Sequence, residues 1–174
     1  ISNGGVIANH LLPKHVGSNR YDDPYGRVLK LDPVTLGLSV LIEGGTASDG
    51  KTNFASVDNI QIDRARNIIY LQEDLISGTR GRQPSYITSS SNWVCEVYAL
   101  NLSIPNPTVN DLKRFANFPK GSEATGGYFT PDYNNFFINV QHPSSGNGAP
   151  FNVSTTVCIT GFTAITGVEG QGGL

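Results

Sequence analysis

The sequence contains no methionine, one tryptophan, two cysteines and three histidines among 174 residues. Without an initiator methionine the chain is expected to be a processed product or a fragment, and no signal peptide is visible at Ile1. Charge is scarce too. Charged residues make up 15%, against roughly 25% in an average soluble domain, and 12 Lys plus Arg nearly balance 14 Asp plus Glu. A nucleic-acid partner needs a dense basic stripe to neutralise phosphates, and none is present. No apolar run approaches the roughly 20 residues that cross a bilayer as a helix, so no transmembrane segment is expected. The Gly-x-Ser-x-Gly elbow, the Gly-x-x-x-x-Gly-Lys loop and the His-Glu-x-x-His helix are missing as well.

Turn formers are abundant, with 20 glycines and 10 prolines scattered along the chain. Such punctuation divides a sequence into short segments and excludes long amphipathic helices. Length allows one domain. Three parts are expected: an irregular leader over 1–24, strand-rich sequence over 25–165, and a Gly-rich tail over 166–174.

Within 25–165 the apolar residues follow a period of two. Arg27 to Asp32 alternates, Asp32-Pro33-Val34-Thr35 reads as a turn, and Leu38 to Glu43 forms the return strand. Val57 to Asp63 and Ile68 to Gln72 make a second hairpin. Trp93 to Leu100 is a further strand, expected to pair with Leu112 to Ala116. A hairpin of Gly127–Thr130 with Phe136–Val140 follows, and a last strand covers roughly Thr155 to Thr160. The likeness of 57–73 to 126–141 points to a repeated unit, as in a β-propeller blade. At about 40–50 residues per blade the chain holds about three to four, fewer than a ring usually needs. The fold expected is therefore all-β, a partial β-propeller of antiparallel hairpins. The remaining blades would come from missing sequence or a partner chain.

Loops flanking the inner strands of a propeller converge on its channel, where carboxylates from successive blades can bind hard cations. Glu73, at the end of the central hairpin, and Glu123, before the last one, are the candidate metal ligands. Each can equally be a solvated carboxylate at a strand end. Asp58 and Asn59 line the same channel, support such a ligand from behind, or cap a local turn. His142 is a metal ligand, a proton donor to a leaving group or a surface imidazole. His10 and His15 stand at no metal-binding spacing, and Arg80 and Arg82 occupy a Gly-rich loop that either binds an oxyanion or is simply solvated. Cys95 and Cys158 permit one disulfide, or are two buried thiols.

Several segments resemble the bacterial PhoX-like alkaline phosphatases. They are Gly26-Arg27-Val28 through Leu31-Asp32-Pro33-x-Thr35, then Asp58-Asn59-Ile60, Glu73-Asp74, Glu123-x-x-Gly126 and Phe129-Thr130-Pro131-Asp132. Phe137-Ile138-Asn139-Val140-Gln141-His142-Pro143 and the late Ile159-Thr160-Gly161 complete the series. The resemblance runs in order from about residue 25 to 163 and matches the family's C-terminal portion. It implies a β-propeller with a calcium- and iron-dependent phosphomonoesterase site, Glu73 and Glu123 among its metal ligands. It also implies an exported protein: periplasmic, extracellular or in an organelle lumen. The family's N-terminal blades, which bring further ligands including a cysteine thiolate, have no counterpart here, and neither Cys95 nor Cys158 aligns with that thiolate. Leu75-Ile76 stands where the family has glycines. Whether the chain is enzymatic is left open; alone it is expected to be inactive. The alternative is a non-catalytic propeller subunit, structural or binding, in a larger exported or lumenal assembly.

Overall fold

The computed structural model describes residues 25–44, 54–75 and 92–162. Among them, β1 (Arg27–Leu31) and β2 (Leu38–Glu43) form a two-stranded sheet. A four-stranded sheet follows in the order β3 (Val57–Asp63), β4 (Ile68–Glu73), β5 (Glu96–Asn101), β6 (Lys113–Asn117). A three-stranded sheet contains β7 (Glu123–Phe129), β8 (Phe136–Gln141) and β9 (Thr155–Ile159). Every pairing is antiparallel and joins strands consecutive in the chain, so the all-β hairpin architecture is as expected. The leader 1–24, the tail 166–174, and the Arg80 and Arg82 loop lie outside the described residues.

The strand β4 is the wall between two cores. All six of its residues are buried, and the period of two sends alternate side chains to opposite faces. Ile69 and Leu71, with Tyr98 and Leu100 of β5, meet Val28 and Ile42 of the first hairpin. Ile68 and Tyr70, with Val97 and Ala99, meet Phe129, Phe136 and Ile138 of the last sheet. In that second core Phe129 stacks on Phe136 at 4.5 Å, and Phe115 stands edge-on to Tyr70 at 4.9 Å, the offset and T-shaped arrangements that ring quadrupoles favour.

Polar groups lock the sheets together. Asp63 ends β3 fully buried, and its Oδ1 accepts from the N–H groups of Ala65 and Arg66 at 3.0 and 3.1 Å, closing the hairpin turn. Its Oδ2 takes the Arg66 guanidinium at 2.6 Å. Arg66 also donates to the carbonyls of Tyr133 and Phe162 at 3.1 and 3.0 Å, so one turn of the middle sheet is fastened to the last one. Nearer the opposite end, Gln72 Oε1 accepts from Gly127 N–H at 3.1 Å.

Two strands depart from their expected bounds. The run from Trp93 is extended, but ladder pairing begins only at Glu96. The carbonyls of Trp93 and Cys95 are taken by the N–H groups of Gly121 and Phe118. The strand β7 begins at Glu123 rather than Gly127, because Gly126 and Gly127 form a bulge within it. Gly126 has φ +64°, and a Cβ on Gly127 would lie 2.6 Å from the Phe136 ring, so glycine suits both places.

The disulfide permitted by the sequence is not made. Cys95 is buried and free, accepting a hydrogen bond from Leu75 N–H at 3.4 Å, whereas Cys158 is free and exposed on β9. The two thiols belong to different environments.

Candidate metal centre

The hairpins β3–β4 and β7–β8 have their turns at one end and open at the other. Val57 faces Glu73 across one open end, and Glu123 faces Gln141 across the other. These ends bring together Asp58, Asp74 and Glu123, which each offer a carboxylate oxygen within 4.8 Å of the others. Asp58 arrives there through a bulge. Val57 pairs with Glu73 and Asn59 with Gln72, so Asp58 is the extra residue of β3 at the register shift. A bulge of this kind turns one side chain out of the ladder.

Glu73 is placed differently from the expectation. It is 1% exposed; its Oε1 accepts from Ala55 N–H at 2.9 Å and its Oε2 from Glu96 N–H at 2.8 Å. Both oxygens therefore tie the segment before β3 to the start of β5, and the residue is not in the carboxylate group. Asp74, the next residue, takes the position instead, its backbone held by a 2.9 Å hydrogen bond from its N–H to the Ser56 carbonyl. Consecutive carboxylates at a strand end point to opposite sides, which was the signal available for Asp74. Glu123, the first residue of β7, belongs to the carboxylate group, with Oε2 accepting from Gln141 Nε2 at 2.9 Å. Asn59 donates to Asp58 Oδ2 at 2.7 Å and so orients it.

Electrostatics at the group are unfavourable without a counter-ion. Partial burial, then the Asp58 charge, pushes the Asp74 carboxyl above its ordinary range. Burial, then Asp74 and Asp58, pushes Glu123 up in the same way. His142 opposes both shifts, so its imidazole is within electrostatic reach. It is exposed, has φ +53°, and its backbone N–H donates to Ser154 Oγ at 3.2 Å. Beside the carboxylates is a cavity of about 200 Å³ lined by Asp74, Trp93, Cys95, Ser122, Glu123 and His142, among others. Burial, with the Glu73, Asp74 and Glu123 charges adding to it, pushes the Cys95 thiol up to about 12 despite the Leu75 N–H, so it stays protonated.

The donor set fits a hard cation. Three carboxylates supply only oxygen, and their mutual repulsion is relieved by a positive ion.

A model of the family described as Alkaline phosphatase PhoX matches residues 6–144. No curated protein matches the chain. Among solved structures, Pseudomonas fluorescens PhoX, in complex with the transition-state analogue vanadate, matches at a TM-score of 0.60 and 20% identity. That match covers 81% of this chain and 27% of the other, so the chain spans about a quarter of that protein's length. At this identity the likeness shows the shared fold, which is β-propeller-like.

Proposed function

Because the chain belongs to the PhoX alkaline phosphatase family, we propose that it supplies part of the metal site of an exported phosphomonoesterase. The observation that carries this reading is the convergence of Asp58, Asp74 and Glu123, whose carboxylate oxygens lie within 4.8 Å of one another, with Asp74 and Glu123 lining the adjoining cavity. Metal dependence belongs to the family as a whole, and the all-oxygen donor set favours calcium here. The iron implied by the resemblance would draw on ligands from blades outside this chain. Bound cations withdraw charge from a phosphate ester and stabilise its transition state.

The chain's own residues then have separate tasks. Asp58, Asp74 and Glu123 hold the cation, Asn59 and Gln141 fix two of those carboxylates, and Glu73 holds the backbone from which Asp74 projects. Among the described residues His142 is the imidazole within electrostatic reach of the group, and its task in this reading is to give a proton to a leaving oxygen. No helix among the described residues is long and apolar enough to cross a membrane. Export follows the habit of the family. Ile60 and Ile62 of β3 and Tyr128 of β7 are exposed, which suits completion of the ring by further blades.

The test uses the complete gene product. Asp74→Asn and Glu123→Gln are each expected to weaken calcium binding, measured by titration calorimetry, at least tenfold, and to abolish p-nitrophenyl phosphate hydrolysis. Unchanged calcium binding in both would leave the non-catalytic subunit as the better reading.

A further inference from the structure

We infer that Ser154 is the positioning residue of His142: its hydroxyl holds the backbone bend that keeps the imidazole at the cavity beside Asp74 and Glu123. Where it concerns a leaving oxygen, the inference rests on the phosphatase reading above. Ladder pairing between β8 and β9 ends at Val140 and Thr155. Just past the end of β8, His142 departs from strand geometry with φ +53°. Its N–H donates to the Ser154 Oγ at 3.2 Å, so a side chain takes the place that a ladder carbonyl would have had. Both residues are exposed, and neither is held there by burial. The chain beyond is pinned as well: the Lys120 carbonyl accepts from Ser144 N–H and from Asn147 Nδ2, each at 2.9 Å.

Left-handed backbone is costly for a residue with a Cβ and persists where its surroundings enforce it. Among the described residues other than glycine, Leu36, Asn67 and Tyr133 adopt it in hairpin turns and Asn106 in the β5–β6 loop. Ser56 and His142 adopt it at the open ends of the hairpins, where the carboxylates gather. Ser56 has a use there, since its carbonyl holds the Asp74 N–H. The bend at His142 serves its side chain, which lines the cavity with Asp74 and Glu123 and acts electrostatically on both. When a phosphate monoester is hydrolysed, the bond from phosphorus to the ester oxygen breaks and its electron pair stays on that oxygen. An alkoxide needs a proton at that moment, whereas p-nitrophenolate leaves without one. A hydroxyl that merely closed the hairpin would not affect this difference, and the experiment separates the two roles.

The test is again on the complete gene product. The His142 ring resonances, identified by their loss in His142→Ala, should shift when calcium is added. Ser154→Ala should reduce that shift at least threefold, and Ser154→Thr, which keeps the hydroxyl, should restore it. In turnover, Ser154→Ala should lower the ratio of kcat for glycerol 2-phosphate to kcat for p-nitrophenyl phosphate about tenfold. Added to His142→Ala, it should change that ratio no further, as expected of two residues acting as one unit. A calcium-induced shift as large in Ser154→Ala as in the parent, equal slowing of both esters, or a further loss on the His142→Ala background overturns the inference. Should Ser154→Ala fail to fold, hydrogen exchange of the His142 amide in the unaltered protein decides: slowed exchange at this exposed position supports the inference, and an unprotected rate overturns it. Failure of the phosphatase reading looks different: the unaltered protein would then hydrolyse neither ester, while the ring shift and its dependence on Ser154 would remain.

Discussion

At the scale of single residues, the Glu73 carboxylate accepts two backbone N–H groups inside the protein, while Asp74 offers its own to the shared carboxylate group. Substitution should separate these two jobs. Glu73→Gln exchanges one accepting oxygen for a donating amide that faces an N–H, and is expected to cost about 2–3 kcal/mol in denaturant unfolding. Asp74→Asn should do the opposite in metal-free protein near neutral pH. Folding raises the pKa of Asp74 and Glu123, so between the ordinary carboxylate value and the raised one the folded state binds more protons than the unfolded state. Stability is therefore undiminished below that window and falls as pH rises through it. The melting temperature of the parent should drop relative to Asp74→Asn as pH is raised from about 4 toward 7, and saturating calcium should reverse the order. Thermal scans at several pH values check this.

At the scale of elements, the hairpins were legible because alternation is a local pattern. The strand β3 reads buried and exposed by turns, and its partner β4 opens with the apolar run Ile68-Ile69-Tyr70-Leu71 of a strand covered on both faces. That double burial also hid the direction of Glu73, since both faces of β4 are buried. What the pattern does not carry is the bulge at Asp58, which changes the count by one residue and turns a side chain from its ladder position. Nor does it reveal that Arg66, in a turn, reaches two carbonyls of the neighbouring sheet. Arg66→Ala would leave the fully buried Asp63 carboxylate without its guanidinium and unfasten the sheets. Loss of about 3–5 kcal/mol is expected, read from urea unfolding of the parent and the variant side by side.

At the scale of the whole molecule, two of the three sheets place carboxylates from β3, from the end of β4 and from β7 around one opening. A cation bound there joins two sheets and binds the folded state preferentially. Calcium at a hundred times its dissociation constant should raise stability by about 2.7 kcal/mol, and a chelator should remove that gain, both visible as shifts of the thermal transition. The sequence by itself determined the strands, their hairpin order and the family, because these rest on neighbouring residues and on motifs in a line. It also singled out Glu123, Asp58 and His142. Only the tertiary structure decided that Asp74 rather than Glu73 joins them, and that Cys95 and Cys158 stay apart. The physical reason is that a ligand group is defined by the directions of side chains, and those are settled by bulges and sheet packing between segments distant along the chain.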